Sequence, residues 1–215
     1  MSITDDTAHE LLRQGKLEDS LTRLKADVQT EPANGKHRIF LFQLLSVFGR
    51  WESALKQLQI AGDLDPSALG MVQDYRDVIR CEEQRARVFS GKDSPTILGE
   101  PDQWVAWLIE ALKLEVSGQH DQADALRSRA LEQAPATSGT ITLANDTTSE
   151  FAWIADADPR MGPMLEAILN EQYYWIPLNQ IAQIDFESPS DLRDFVWTAA
   201  HFTLVNGTQA IGVIP

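Results

Sequence analysis

The chain has 215 residues and a hydrophobic content of 43%, enough for one large domain or two modest ones with a real core. Its formal net charge of −14 excludes a general nucleic-acid or anionic-membrane surface, since both need basic patches. A single cysteine, Cys81, excludes an internal disulfide framework and fits a reducing compartment.

The N-terminus, MSITDDTAHELL, has neither a basic n-region nor an apolar h-region, and no apolar run reaches the length needed to span a bilayer. A cytoplasmic protein is expected. Residues 4–31 read as a first helix pair, with Thr4 and Thr7 near its start and Asp5 and Asp6 suited to a helix N-terminus. The clearest pattern lies in 37–65. Ile39, Phe40, Phe42, Leu44, Leu45 and Phe48 give one apolar face; after Gly49, Trp51, Ala54, Leu55, Leu58 and Ala61 recur at helical spacing. Gly15, Leu17, Ser20, Leu21, Leu24 and Pro32 stand in the same order 34 residues upstream of Gly49, Trp51, Ala54, Leu55, Leu58 and Pro66. That period, with glycine at the break and a small residue five positions later, is the mark of tetratricopeptide-like helix pairs. The third period is degenerate, lacking a glycine at its expected turn, and Gly91–Pro101 reads as an extended loop. Gly118, His120, Ala123, Ala130 and Pro135 restore the pattern; Asp124 and Arg127, where the first units have leucine, suggest an end cap with a polar outer face.

Composition shifts at Pro135, which divides the chain into a helical-repeat region, 1–135, and a mixed β-rich region, 136–215. Strands are predicted at 140–143, 151–154, 173–176, 181–186, 199–205 and 210–214, and Asn206-Gly207 signals a hairpin with positive φ at both residues. Two short helices are predicted between strands. One is MLEAIL behind Pro163; the other is a turn capped by Ser188, with Asp191 in a capping-box place. The expected fold class is α+β, with tetratricopeptide-like helical repeats followed by a smaller, mostly antiparallel β-containing region.

Three segments of the second half carry a family resemblance: FAWIADADPRMGPMLE (151–166), YYWIP (173–177) and PSDLRDFVW (189–197). They resemble the ImpE/TagJ family, also labelled SciE-type, of accessory proteins of type VI secretion systems. The motif residues are Asp156, Asp158, Arg160, Gly162, Pro163, Glu166, Trp175, Asp191, Asp194 and Trp197. The resemblance implies a cytoplasmic adaptor contacting the small subunit of the contractile sheath, through an amphipathic helix, and the sheath-disassembly AAA+ ATPase. Members of that family continue past the equivalent of Ile214-Pro215 with an Arg-Tyr-containing segment.

Tandem helix pairs bind helices or peptides in the groove formed by the first helix of each pair. That geometry predicts a groove of His9, Leu12 and Arg13, then Ile39, Gln43 and Val47, then Leu108, Leu112 and Val116. The bland role for Asp156 and Asp158 is to cap the following helix and hold Arg160. No His or Cys completes a metal site near Asp156, Asp158 and Glu166, so no metal, cofactor or catalytic residue is expected. His9, His37, His120 and His201 are scattered, Ser188 lacks a nucleophile elbow, and no Gly-x-x-x-x-Gly-Lys loop occurs. Trp153, Tyr173, Tyr174, Trp175 and Trp197 form a candidate aromatic cluster, of which an exposed subset would anchor a partner. Self-association is a further expectation. Two rival functions stay open: a tetratricopeptide scaffold for another complex, and a metal-dependent hydrolase using the Asp156–Glu166 acids.

Overall fold

The computed structural model describes residues 7–215. Thr4, Asp5 and Asp6, expected at the start of the first helix, lie outside the described residues. α1 (Ala8–Arg13) opens on a capping box, in which Thr7 and Glu10 each accept the other's backbone N–H. α2 (Leu17–Thr30), α3 (Gly35–Val47) and α4 (Trp51–Leu64) follow. After a 3-10 turn at Pro66–Ala68 comes α5 (Leu69–Phe89), then α6 (Gln103–Val116) and α7 (His120–Gln133).

The repeat spacing has a physical basis at three glycines. Gly15, Gly49 and Gly118 all have φ between +63° and +78°, where a Cβ is strained. Each ends the first helix of a pair with the same two bonds. Gly49 N–H donates to the Ser46 carbonyl and Arg50 N–H to the Leu45 carbonyl, both at 2.9 Å, and the other two pairs repeat this. Five positions on, Ser20, Ala54 and Ala123 are fully buried, so the paired helices approach through their smallest side chains.

The degenerate third period is not a pair. From Met71 to Phe89 no glycine or proline interrupts the sequence, and the chain runs through the expected turn as one helix of 21 residues. Gly91 (φ +70°) ends it, with N–H bonds from Gly91 to Val88 and from Lys92 to Arg87. Thr96–Ile97 in the following loop is a two-residue strand, β1.

The remaining strands are β2 (Gly139–Thr142), β3 (Thr148–Phe151), β4 (Met164–Leu169), β5 (Gln172–Pro177), β6 (Ile181–Phe186), β7 (Thr198–Leu204) and β8 (Gln209–Ile214). β2 and β3 pair only with each other. The rest form a six-stranded sheet of order β1-β5-β4-β8-β7-β6, antiparallel except for the β1–β5 pair. One face holds a core of Ala167, Leu169, Ile176, Ala200 and Phe202, flanked by Leu98, Leu165, Tyr174, Ile181, Ile184, Ala210 and Ile214.

Several local expectations need correction. MLEAIL is strand β4, not a helix: six apolar-rich residues are too short for periodicity to decide. Its pairing with β5 over all six residues settles the conformation. The two-residue turn between them, Asn170-Glu171, has φ of +48° and +66°, the doubly left-handed geometry of a tight hairpin, built without glycine. The Arg80 guanidinium (3.1 Å) and the Cys81 thiol (3.5 Å) both bond the Glu171 carbonyl. At the β7–β8 turn only Gly207 (φ +82°) is left-handed; Asn206 instead accepts the Thr208 N–H with its side chain. The turn near residue 190 is a 3-10 helix at Leu192–Phe195 capped by Asp191 rather than Ser188. The Asp194 carboxylate accepts the N–H groups of Ser190 (2.7 Å) and Asp191 (2.8 Å).

The chain folds into two compact units that do not follow the composition shift at 135. One comprises Met1–Ile79 with Pro189–Trp197; the other comprises Arg80–Ser188 with Thr198–Pro215. α5 therefore contributes to both, and α6 and α7 belong with the sheet. The shift at 135 marks the change from helix to strand, since α7 ends at Gln133 and β2 opens at Gly139.

Candidate functional site

In the first unit, the motif segment 189–197 comes from far along the chain to pack on the helix pairs. Trp197 is fully buried, its ring 5.5 Å from Trp51 and 5.4 Å from Tyr75. The Arg193 guanidinium lies 4.9 Å over Tyr75 and pairs with Asp191 at 2.7 Å. Asp191 in turn accepts from the Gln43 amide at 3.2 Å. Burial among these rings pushes the Tyr75 hydroxyl above its ordinary range. Two residues before the buried tryptophan, Phe195 is 75% exposed.

In the second unit, the motif residues form a buried hydrogen-bonded line. Trp175 Nε1–H donates to the Tyr173 hydroxyl (2.6 Å), which donates to Glu166 Oε2. Arg85 from α5 closes on the same carboxylate with two bonds, Nε to Oε2 (2.6 Å) and Nη2 to Oε1 (3.0 Å). This fork–fork geometry fixes the plane of both groups. Phe89 packs against Trp175, and the guanidinium groups of Arg85 and Arg160 lie 5.3 Å and 4.7 Å from its ring centre. Burial, and then the neighbouring Glu166 carboxylate, raise the Tyr173 hydroxyl far above its usual range, while Glu166 holds the Arg85 guanidinium more firmly protonated.

Asp158 and Arg160 form the bidentate pair expected from sequence, but they do not cap a helix. Asp156, Asp158 and Gly162 close a tight loop. Asp156 N–H donates to the Gly162 carbonyl (2.7 Å), and Asp158 N–H to the Asp156 carboxylate (2.7 Å). Gly162 has φ +54°, and a Cβ there would sit 3.0 Å from the Leu131 side chain. The Arg160 guanidinium holds the Asp158 carboxyl below the usual carboxylate range. A depressed carboxylate stabilises the fold above its unfolded-state value and loses that contribution as pH falls through the folded one. Asp158→Asn is thus expected to lower stability at neutral pH and to flatten the acid-unfolding slope below the ordinary aspartate value of about 4. Urea titrations at several pH values measure it.

Glu115, His120, Asp124, Arg127, Asp158 and Arg160 line a shallow concavity of about 400 Å³. Arg127 is not on a polar outer face as expected. Its side chain is 12% exposed and pairs with Asp124 (2.6 Å) and Glu115 (3.2 Å). Ion pairing lets a guanidinium take the place of the leucines of the first repeats.

The groove residues do not share one environment. His9 is exposed and stacks on Phe40, ring centres 4.0 Å apart, which links α1 to α3. Arg13 is exposed, and Leu12, Ile39 and Val47 are half-buried. Gln43 is buried and committed to Asp191. Leu108 and Leu112 are core residues of the second unit, presenting no surface to a partner, whereas Val116 is 50% exposed. The five aromatic residues do not cluster either. Tyr173 and Trp175 are buried in one unit and Trp197 in the other, while Trp153 is 67% exposed.

Among the described residues, no three His, Cys, Asp or Glu side chains converge on a site that could hold a metal ion, and no helix is long and apolar enough to cross a membrane.

The model of the family described as ImpE protein matches residues 148–215. The chain is also 48% identical over 208 residues to the type VI secretion system accessory component TagJ of Pseudomonas aeruginosa, covering 97% of this chain and 72% of TagJ. The chain belongs to the ImpE family. The crystal structure of protein VPA1032 from Vibrio parahaemolyticus superposes with a TM-score of 0.85 at 24% identity, over 97% of this chain and 77% of that one. That likeness shows the α+β fold, helical repeats followed by a mostly antiparallel sheet.

The match at 148–215 spans every motif residue named from the sequence, yet several of the groups they bind in space lie outside it. Arg85, Phe89, Tyr75, Trp51 and Gln43 precede the match. Sequence reading missed Arg85 as the partner of Glu166 because 81 residues separate them. No spacing rule announces such a pair. The only hint was the charged helix stretch RCEEQRARVF, in which Arg85 is one of three arginines beside two glutamates.

Proposed function

We propose that this chain is an accessory protein of a type VI secretion system, working in the cytoplasm as a non-enzymatic adaptor. In this reading it takes an amphipathic helix from the small subunit of the contractile sheath, with the sheath-disassembly AAA+ ATPase as a second contact. The observation that carries the reading is the 48% identity to TagJ over 97% of the chain. The chemistry of the motif supports it. Its acids are consumed by internal partners, Asp158 by Arg160 and Glu166 by Arg85 and Tyr173, leaving them shaped for architecture.

The docking surface on this reading is the first helices of the first two pairs, around His9, Leu12, Arg13, Ile39 and Val47. Half-buried apolar side chains beside exposed polar ones suit an amphipathic helix anchored at i, i+3, i+4 and i+7. The test is capture of the purified sheath subunit by the chain and by a Leu12→Ala/Ile39→Ala/Val47→Ala variant. The variant is expected to bind about tenfold or more weakly with an unchanged circular dichroism spectrum. Equal binding by both proteins moves the helix off this surface; no binding by either removes the sheath subunit as partner.

A further inference from the structure

The six-stranded sheet ends on β6, an edge strand of six residues; the opposite edge, β1, has only two. A sheet edge presents unpaired backbone groups that another strand can complete. Which groups β6 presents follows from its bonds to β7. Glu187 N–H donates to the Ala199 carbonyl at 2.9 Å, and the register pairs Asp185 with His201 two residues along. In an antiparallel ladder such hydrogen-bonded pairs alternate with pairs whose N–H and C=O groups point the other way. The backbone groups of Ile184 and Phe186 therefore point away from β7, to the edge. Ala182, Gln183, Asp185, Phe186 and Glu187 are exposed, so the described residues leave this edge uncovered. A register slip between Ile181 and Gln183 blunts one end; from Gln183 to Phe186 the pairing is regular.

Contacts fix which side chains lie on which face. Ile184 packs on the sheet core opposite Phe202, and Phe186, opposite the core residue Ala200, is 63% exposed. On the other face the Gln183 amide donates to both Asp185 oxygens (2.9 and 2.8 Å), and Glu187 Oε1 lies 3.0 Å from His201 Nε2. A neutral amide leaves the Asp185 charge in place, and β6, β7 and β8 contain no lysine or arginine. A strand added here meets apolar side chains on one face and carboxylates on the other. A helix satisfies its own backbone and cannot complete the edge. A second copy paired through β6 would set both copies of Asp185 and Glu187 on one face, where like charges repel. We infer that β6 accepts, antiparallel, an extended segment of a partner protein in which apolar residues alternate with lysine or arginine. The apolar residues lie beside Ile184 and Phe186, the basic ones beside Asp185 and Glu187. Backbone bonds give such an addition its affinity, and the alternate side chains give its selectivity. This edge belongs to the second unit and the helix pairs of the sheath-binding reading to the first. The test uses no secretion component, so the two readings fail separately.

The probe is a fluorescent peptide alternating valine with lysine, titrated into the full chain and followed by anisotropy; a valine–glutamate peptide is the control. The Val/Lys peptide is expected to bind and the Val/Glu peptide not to bind. Phe186→Pro removes one outward N–H and keeps the bonds of Asp185 and Glu187 to β7, a place where an edge strand tolerates proline. It should weaken binding by about tenfold or more, as should Asp185→Asn/Glu187→Gln. Methylating the valine nitrogens of the peptide should abolish binding and methylating the lysine nitrogens should leave it, because only alternate N–H groups face a neighbouring strand. That contrast separates strand addition from general attraction to an acidic chain, and it holds even if the proline variant fails to fold. Failure of the Val/Lys peptide to bind overturns the inference, as does equal binding of the Val/Glu peptide. So do equal effects of the two methylations, or equal binding to the parent and a folded Phe186→Pro. A dimer of the parent chain, by light scattering, that Phe186→Pro converts to a monomer makes a second copy the occupant and also overturns it.

Discussion

Trp197→Ala is expected to destabilise the protein by about 3–5 kcal/mol, the range for removing a fully buried aromatic side chain. Trp197 is 0% exposed and packs between Trp51 of α4 and Tyr75 of α5. Its loss leaves a cavity that two rigid rings cannot close by a rotamer change. It also releases the 3-10 turn at Leu192–Phe195, whose hold on the first unit otherwise rests on Gln43–Asp191 and on Arg193 against Tyr75 and Met71. Phe195→Ala provides the contrast. That ring is 75% exposed, and its removal should change stability by no more than about 0.5 kcal/mol. Urea unfolding of both variants gives the comparison, and limited proteolysis should cut the segment 189–197 sooner in the first variant alone. Equal stability of the two variants would show that Trp197 is not the anchor of this segment.

What was legible in advance followed from local rules. A glycine with positive φ, a small residue five positions on and a proline at the end are requirements of one helix hairpin, so three hairpins could be counted from spacing. The sheet strands at 173–176, 181–186, 199–205 and 210–214 were placed to within a residue or two because β-branched runs lay between turn signals. The failures came where two local rules competed or where none applied. MLEAIL suits either a helix or a fully buried strand, and only its partner β5 decides. α5 passes a turn position because no breaker is present, however strongly the period suggests one. The candidate site was half visible. Its residue types stood out in the DADPR and LRDFVW runs, but the pairings Glu166–Arg85, Asp191–Gln43 and Trp197–Trp51 join residues 81, 148 and 146 positions apart. The groove prediction erred for a related reason. A helix wheel shows which side of Gln43, Leu108 and Leu112 faces away from the paired helix, but not that segment 189–197 or the rest of the second unit already occupies it.

The second large effect belongs to the buried line of polar groups. Arg85→Met is expected to cost about 2–3 kcal/mol, below the usual range for breaking a buried ion pair because Arg85 is 36% exposed and partly screened. The loss arises on the other partner. The Glu166 side chain is 11% exposed, and without the guanidinium its charge keeps only the Tyr173 hydroxyl. Replacing both members, Arg85→Met with Glu166→Leu, removes the stranded charge and should recover part of that loss, since a well-packed apolar pair can stand in for a buried salt bridge. Tyr173→Phe should cost less, about 1–2 kcal/mol, as it leaves the Trp175 indole N–H without an acceptor. The diagnostic result is therefore an order: Arg85→Met below the double variant, with Tyr173→Phe nearest the parent. If the double variant is instead the least stable, Arg85 and Glu166 contribute by packing more than by charge. The motif glutamate would then owe its place in the fold to its methylene groups beside its cross-strand partner Trp175.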